Sequence, residues 1–311
     1  MNGLYAMKIL VIGVGGIGGF FGAHLHSIGE DVTFLVRELK KPIIQKNGIK
    51  IKSSSGNFSI NPRIITKDDL KPIYDIILLT CKSYDLMQVI NDLSLIKFKG
   101  IIIPFLNGKN HLEVLDEYFD KNRVYGGVAY ISSNVDNSGI INHIGINKKI
   151  SFGSRFGENS DIILDFYKRC KKTKFDCFLS ENIDQEIWEK WIFIATVAGA
   201  TTLFKTSLDK INSSEEGKKF ILDLFDECCK ISSVNSFPIR ESVRKNHETF
   251  FINPNSKVKA SMLIDMEKKS KTEFNHIFEK FIKFGESKNF NPILLKSIFL
   301  NMLIYEKSLK I

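Results

Sequence analysis

The sequence has few of the residues that would place it among disulfide-bonded or zinc-binding proteins. Its 311 residues include only five cysteines, with no Cys-x-x-Cys pair and no zinc-ligand spacing. We therefore expect neither a disulfide framework nor a metal site, and the cytoplasm is the compartment that suits such a chain. The cysteines are Cys81, Cys170, Cys177, Cys228 and Cys229.

A long apolar run is also missing. The uncharged apolar stretch from Trp191 to Phe204 has 14 residues, whereas a membrane helix needs about 18 or more. The first residues carry neither a basic segment nor a small-residue cleavage site, so we expect no signal peptide and no membrane partner. Met7 is the more natural start, because the first predicted strand follows it directly.

Charge of one sign is not concentrated anywhere. The net charge of +9 is spread along the chain, without a basic tail or a long Lys/Arg run. This distribution predicts a solvated basic surface rather than a nucleic-acid-binding one. It modestly favours anionic ligands, such as phosphates and carboxylates.

The apolar pattern divides the chain into two parts. Over residues 7–180, short β-branched runs alternate with amphipathic stretches, which predicts βαβ units and a parallel sheet. Over residues 181–311, strand signals nearly vanish and helical periods follow, which predicts an all-helical domain. The predicted strands are Lys8–Gly13, Asp31–Val36, Tyr74–Thr80, Gly100–Pro104, Gly126–Asn134 and Gly139–Phe152. The predicted helices are Gly16–Ile28, Ile183–Phe204, Ser214–Asn235, Pro238–Phe251, Ala260–Glu286 and Pro292–Lys310.

The strongest local motif is the glycine-rich turn after the first strand. It has the G-x-G-x-x-G arrangement of a dinucleotide site, between a predicted strand and a predicted helix. The first glycine permits a tight turn, the second lets the backbone approach a pyrophosphate, and the third allows close helix packing. The helix N-terminus offers N–H groups to the phosphates. The cofactor-binding residues of this turn are Gly13, Val14, Gly15, Gly16, Ile17 and Gly18.

The residue after the second strand indicates which cofactor is used. An NAD site usually has Asp or Glu there, about 20 residues beyond the turn. This chain has Arg37, whose guanidinium suits the 2′-phosphate of NADPH. The adjacent Glu38 argues for NAD, and Arg37 as a solvent-facing loop residue is the alternative to either role.

Several short motifs occur together in one order, and this series resembles the ketopantoate reductase family of NADPH-dependent 2-oxo acid reductases. The resemblance covers nearly the whole chain from Met7. It implies a Rossmann-like N-terminal domain, an all-helical C-terminal domain and a cleft between them, and it allows a homodimer. The motifs are GVGGIGGFFG (13–22), FLVR (34–37), LLTCKSYD (78–85), FLNG (105–108), GIINHIG (139–145), WEKW (188–191), SMLIDM (261–266) and Thr272-Glu273.

The resemblance also implies roles for individual residues. Lys82 matches a lysine near the cofactor, and Asn107 matches an asparagine near the nicotinamide and the substrate. Lys190 matches the catalytic lysine that binds the substrate and protonates its carbonyl oxygen. Ser261 matches a serine that binds the substrate carboxylate, and Glu273 matches a glutamate at the closed cleft, assigned here as catalytic.

Each of these residues has a structural alternative. Lys82 is also explained as an exposed residue at a strand end, Asn107 as part of an Asn-Gly turn, and Lys190 as a surface lysine. Burial beside the uncharged run would lower the pKa of Lys190 toward that of a general acid. Glu273 fits a capping box that begins at Ser270. Such a helix start would also bend the chain, which must happen if Ser261 and Glu273, 12 residues apart, are to face one substrate.

The sequence departs from the family pattern at three substrate-binding asparagines. Ile194 and Ala198 occupy the positions four and eight residues after the catalytic lysine, and Val258 stands three residues before the serine. Groups that would bind the pantoate hydroxyl are therefore missing, so the substrate is expected to differ.

These features predict NADPH-dependent reduction of a 2-oxo acid similar to ketopantoate. Two alternatives stay open. One is a relative that reduces a more apolar oxo acid or ketone, and the other is a non-catalytic NADP-binding sensor.

Overall fold

The computed structural model describes residues 6–309. Met1, the alternative start to Met7, lies outside the described residues. So does Lys310, where the last predicted helix ends. The chain divides into two compact units. The first runs to Leu106 and continues over His111–Asp184, and the second comprises Asn107–Asn110 and the chain from Gln185 onward. The predicted order of a parallel α/β part followed by a helical part is confirmed.

The centre of the first unit is a five-stranded parallel sheet. Continuous apolar runs form it, as expected for strands that are covered on both faces. The strand order is β5-β2-β1-β6-β7, so β2 and β6 lie on either side of β1. The loops that follow these three strands consequently meet at one edge of the sheet. The strands are β1 Lys8–Ile12, β2 Asp31–Leu35, β5 Arg63–Ile65, β6 Ile76–Leu79 and β7 Ile101–Pro104.

A second, mixed sheet was not predicted. It has the order β10-β9-β3-β4, and β8 pairs with β9 in an antiparallel ladder. The two long strands of this hairpin were recognised in the sequence, but the short strands that extend the sheet were not. The strands are β3 Ile49–Lys52, β4 Phe58–Ile60, β8 Gly126–Val135, β9 Ile141–Gly153 and β10 Asp176–Leu179.

Helix α1 (Gly16–Ser27) packs against strands of both sheets. Its residues from Gly18 to Leu25 are all buried. Glycines make this close packing possible: a Cβ on Gly22 would lie 2.7 Å from the ring of Phe34, and one on Gly19 would lie 2.2 Å from Ile141 Cδ1. The other helices of this unit are α2 Lys41–Asn47, α3 Leu86–Ser94, α4 Asn110–Tyr118 and α5 Asp161–Cys170.

The described part of the second unit is helical and encloses a core rich in aromatic side chains. Trp188 and Trp191 are both buried, and their rings are 5.5 Å apart. Phe281 stacks on Trp191 with the ring centroids 4.5 Å apart. The helices are α6 Ile183–Phe204, α7 Leu208–Ile211, α8 Glu215–Val234, α9 Glu241–Phe251, α10 Ser261–Glu267, α11 Lys280–Glu286 and α12 Ile293–Ser308, with a π-helical segment over Asn275–Glu279.

The prediction of one helix over Ala260–Glu286 is wrong. Lys269 adopts a left-handed conformation with φ of 53°. The Ser270 N–H donates to the Asp265 carbonyl at 2.9 Å, and the Lys269 N–H donates to the Met266 carbonyl at 2.9 Å. These two bonds form a Schellman motif, which ends α10. A glycine usually marks that position, so the sequence carried no signal for it.

The predicted capping box at Ser270 is also wrong. Helical structure resumes at Phe274 rather than directly after Ser270, and the Ser270 hydroxyl donates to the Lys268 carbonyl at 3.5 Å. The helix does end between Ser261 and Glu273, but the Schellman motif, rather than a new helix start at Ser270, ends it.

No helix within residues 6–309 is long and apolar enough to cross a membrane. Over the same residues, no group of three or more His, Cys, Asp and Glu side chains is arranged to hold a metal ion.

A buried ion pair fixes the start of the parallel sheet. Arg169 Nη1 donates to Glu30 Oε2 at 2.7 Å, and the Glu30 carboxylate also accepts from the Met7 N–H at 2.8 Å. Both side chains are less than a tenth exposed. Such a pair is costly to break, because the remaining charge stays buried.

We expect Arg169→Met to lower the free energy of unfolding by about 3 kcal/mol, since it leaves the Glu30 charge buried beside β1. The double variant Arg169→Met/Glu30→Met should recover most of that loss, because no buried charge is left. Urea unfolding followed by circular dichroism measures both. A double variant no more stable than the single one would contradict this account.

Candidate active site

The glycine-rich turn after β1 is held by backbone contacts with the end of β6. Gly13 has φ of 100°, a conformation that favours glycine, and a Cβ there would lie 3.2 Å from the Thr80 carbonyl oxygen. The Thr80 hydroxyl donates to the carbonyls of Ile12 at 2.8 Å and Gly13 at 3.1 Å. Thr80 therefore fixes the direction in which the chain leaves the strand.

The three motif glycines meet different surroundings. A Cβ on Gly18 would lie 2.1 Å from Thr80 Oγ1 and 2.3 Å from the Gly13 carbonyl oxygen, so packing requires glycine there. A Cβ on Gly15 would meet nothing within 4 Å. Gly15 is also the N-cap of α1, with no side-chain hydrogen bond to the helix end. Open space beside uncapped N–H groups fits a pyrophosphate.

The other predicted residues of the turn frame this space. Val14 and Ile17 are partly buried and pack against the core of the first unit. Gly16 approaches β8, where a Cβ would lie 2.6 Å from Ser133 Oγ. These contacts fix the turn. Among the motif glycines 13, 15, 16 and 18, Gly15 is the position with open space beside it for a ligand.

The two predicted cofactor cations follow β2 and β6, the strands beside β1. Arg37 is exposed and comes directly after Val36, and Lys82 precedes a 3₁₀ turn over Ser83–Asp85. Arg37 Nη2 lies 2.5 Å from Asp85 Oδ1. The sequence had predicted a cation at this edge of the sheet, and the structure adds a carboxylate that contacts it.

Lys190 lies on α6 between the two buried tryptophans, Trp188 and Trp191. Its side chain is partly buried. Burial lowers the pKa of its ammonium group from 10.5 to about 8. Such a group is mostly protonated at pH 7 but gives up its proton more easily than an exposed lysine, as a general acid requires.

The neighbouring Glu189 has a structural role. It is 3% exposed, and its carboxylate accepts hydrogen bonds from Arg240 Nε at 2.8 Å and from the Arg240 N–H at 3.0 Å. Burial alone would raise the pKa of Glu189, but the bonds from Arg240 keep it below its ordinary value. This pair joins α6 to the residue that precedes α9.

Asn107 belongs to a four-residue segment, Asn107–Asn110, that packs with the helical unit. Gly108 has φ of 78°, and a Cβ there would lie 3.4 Å from Trp191 and from the His276 carbonyl oxygen. The Trp191 indole in turn donates to the Ile277 carbonyl at 2.9 Å. The segment is therefore seated between α6 and the π-helical turn.

His276 links two of the predicted site residues. Its side chain is buried, forms a hydrogen bond with the backbone of Asn107 and lies in the field of Glu273. Burial lowers the pKa of His276 below its ordinary value, although the Glu273 charge and the Asn107 backbone oppose that shift. The backbone of Asn107 thus contacts the imidazole, and Glu273 lies near enough for its charge to act on it. A π-helical turn at such a place is common at functional sites.

Ser261 and Glu273 lie at the two ends of the region around α10. Ser261 is exposed in the first turn of α10, and Glu273 is partly buried just before the π-helical turn. The neighbouring Thr272 donates its N–H at 2.7 Å and its hydroxyl at 2.9 Å to Glu306 Oε1. Helix α12 therefore fixes the segment from which Glu273 projects.

The three positions that lack the family's asparagines differ in exposure. Ile194 is partly buried, Ala198 is 2% exposed within the helical core, and Val258 is 38% exposed. Ile194 and Val258 therefore keep exposed surface, whereas Ala198 contributes mainly to packing. The Val258 carbonyl accepts from the Leu208 N–H at 3.1 Å, which holds the segment before α10.

Sequence reasoning missed three residues. Asp85 and Thr80 lie inside the quoted motif LLTCKSYD, but nothing in the sequence indicates that one contacts Arg37 and the other the glycine-rich turn. His276 follows Glu273 by three residues, which is the spacing of neighbours on one helical face. This spacing was the sequence signal that could have identified His276 as a neighbour of Glu273.

Two family models and a curated relative match most of this chain. Residues 9–156 match the family model described as ketopantoate reductase PanE/ApbA, and residues 182–299 match the model of its C-terminal part. A Bacillus subtilis (strain 168) protein described as uncharacterized oxidoreductase YkpB is 34% identical over 301 residues, which cover 96% of this chain and 99% of that protein.

Two solved structures share the fold. The 2-dehydropantoate 2-reductase from Geobacter metallireducens GS-15 superposes with a TM-score of 0.87 at 22% identity, covering 97% of this chain and 100% of that one. A ternary structure of D-mandelate dehydrogenase with NADH and anilino(oxo)acetate gives a TM-score of 0.87 at 17% identity, covering 98% and 100%. The family models confirm the resemblance of the sequence motifs, and this chain belongs to the ketopantoate reductase PanE/ApbA family.

Proposed function

We propose that this protein reduces the C2 carbonyl of a 2-oxo acid to a hydroxyl group with NADPH as the hydride donor. The observation that carries the proposal is Lys190, a partly buried lysine whose pKa is lowered to about 8. A reductase needs a proton donor for the carbonyl oxygen, whereas a sensor that only binds the cofactor does not. When bound, the reduced nicotinamide supplies the hydride.

The first unit holds the cofactor in this proposal. The N–H groups at the start of α1 bind the pyrophosphate, and the space at Gly15 admits it. Arg37 and Lys82 place positive charge at the sheet edge, where a 2′-phosphate would be bound. Arg37 is the reason for proposing NADPH as the cofactor.

The second unit carries the residues that act on the substrate. Lys190 donates its proton to the carbonyl oxygen as that oxygen gains negative charge. Ser261, with N–H groups at the start of α10, binds the carboxylate. Asn107 and Glu273 orient the substrate. The neutral His276 holds the backbone of Asn107 through a hydrogen bond.

We further propose that the substrate has an apolar side chain. Ile194 follows Lys190 by four residues and so lies on the same face of α6. Its side chain and the exposed Val258 offer methyl groups where ketopantoate would need hydrogen-bond partners. The anilino(oxo)acetate bound by D-mandelate dehydrogenase is a 2-oxo acid derivative with an aromatic group.

The homodimer and the cytoplasmic location remain predictions of the sequence.

Two glycine substitutions separate cofactor binding from folding. Gly15→Val should abolish binding of NADPH and NADH while the protein stays folded, because its side chain meets only the space proposed for the pyrophosphate. Gly18→Val is the matched control, and it should disrupt folding through contact with Thr80. Thermal unfolding and calorimetric titration measure the two effects. Cofactor binding retained by Gly15→Val would show that the turn is only structural.

The pH dependence of reduction tests Lys190. Because its pKa is about 8, kcat/KM should be level below that pH and fall about tenfold per pH unit above it, as the ammonium form is lost. Lys190→Ala should lower kcat by about 10²–10⁴ and abolish this dependence, while NADPH affinity stays nearly unchanged. A decrease of less than about threefold would exclude the proposed role.

Lys190→Met is the control for folding. The folded-state pKa lies below the unfolded value, so the unfolded chain binds more protons between about pH 8 and 10.5, and the charged lysine destabilises the fold at pH 7. Lys190→Met should therefore be inactive and yet have a higher Tm than the wild type at pH 7. A lower Tm would mean that the lysine is structural.

Substrate selection is tested with a pair of 2-oxo acids. Ketopantoate should be a poorer substrate than the analogue of the same carbon skeleton without the terminal hydroxyl. An unpaired hydroxyl costs about 1–3 kcal/mol, or roughly one to two decades in kcat/KM. The alternative is that a polar group elsewhere in the fold, such as Asn142 or Thr202, binds the hydroxyl. A kcat/KM for ketopantoate well above that of its analogue would refute the apolar pocket.

A further inference from the structure

Asp85 contacts the side chain that is expected to bind the 2′-phosphate. Its Oδ1 lies 2.5 Å from Arg37 Nη2. Both residues belong to hydrogen-bonded turns: the Lys40 N–H donates to the Arg37 carbonyl at 2.9 Å, and the Asp85 N–H donates to the Lys82 carbonyl at 2.9 Å. The backbone is thus ordered on both sides of the pair. The Arg37 side chain is 73% exposed and can turn from one anion to another.

The strand order explains why this carboxylate reaches Arg37. Strands β2 and β6 lie on either side of β1, so the loops that follow them meet beside the glycine-rich turn. In NAD sites, the acid that accepts a hydrogen bond from the ribose 2′-hydroxyl usually follows the second strand. Here the cation occupies that position, and the acid comes from the loop after β6.

Building on the proposed function, we propose that Asp85 is a specificity-determining residue that makes this site accept NADH as well as NADPH. With NADH, the carboxylate accepts a hydrogen bond from the ribose 2′-hydroxyl. With NADPH, Arg37 binds the 2′-phosphate, but that phosphate then lies near the Asp85 charge. For a phosphate of about two negative charges at roughly 5 Å in water, this repulsion corresponds to about a tenfold loss in affinity.

Two carboxylates lie beside the cation expected to bind the 2′-phosphate. Glu38 is exposed next to Arg37 in the sequence, in a turn that also carries the exposed Lys40, and Asp85 comes from the loop after β6. Asp85 is the carboxylate for which the structure gives a direct contact with Arg37.

The test is calorimetric titration of the full chain with NADPH and with NADH, without substrate. The wild type should bind the two cofactors with dissociation constants within about tenfold of each other. Asp85→Asn should raise the preference for NADPH about tenfold, because it removes the charge and keeps the size of the side chain. Arg37→Ala should weaken NADPH about ten- to a hundredfold and NADH little.

Glu38→Gln is the matched control, since it removes an adjacent, exposed carboxylate. It should change the preference less than about twofold. A preference in Asp85→Asn within about twofold of the wild type, weaker NADPH binding by that variant, or an equal shift in Glu38→Gln would overturn the role of Asp85. So would a wild-type preference for NADPH above about a hundredfold. A wild type that binds neither cofactor would refute the proposed function itself, and with it this inference.

Discussion

The close approach of α1 to both sheets of the first unit is the constraint that fixes the glycine-rich turn at the sheet edge. A Cβ on Gly18 would lie 2.1 Å from Thr80 Oγ1, far inside van der Waals contact, and one on Gly19 would collide with Ile141. Because the helix packs at glycine, its first turn is held directly beyond the end of β1. The N–H groups of that turn therefore point toward the edge where the loops after β2 and β6 meet.

The parts of the fold that sequence predicted are those with a strong local signal. Four of the five strands of the parallel sheet are apolar runs of four or five residues, and α6 contains a long uncharged stretch with its buried residues at helical spacing, so these elements were recognised. The three-residue strand β5 was missed. Strands β3 and β4 have three or four residues each and gain their stability from pairing with β9 and with one another. Such short segments carry too little periodicity to be recognised alone. The break after α10 was missed because Lys269, rather than a glycine, occupies the left-handed position.

The site shows the same division. The glycine-rich turn was predictable because its glycines occur at a fixed spacing between a strand and a helix, a pattern that is visible in the sequence alone. The contacts of Asp85 with Arg37 and of His276 with Asn107 join residues far apart in the sequence, and they exist only after the sheet order and the helical packing have formed. The sequence motifs indicated Arg37 and Asn107, but their partners Asp85 and His276 were found only in the tertiary structure.

Glu189 and Lys190 are adjacent on α6, but the structure favours the charged form of Glu189 and disfavours the charged form of Lys190. The Glu189 carboxylate is buried and accepts hydrogen bonds from Arg240, which hold its pKa down and keep it charged. The next residue projects about 100° further around α6, and burial there moves the pKa of Lys190 toward neutrality. A structural charge is stabilised by its partners, whereas a group that transfers a proton must be able to lose its charge at low cost. Trp188 and Trp191 pack with each other and with Phe281. This packing stabilises the helix that carries Lys190, so α6 tolerates the cost of burying the proposed proton donor.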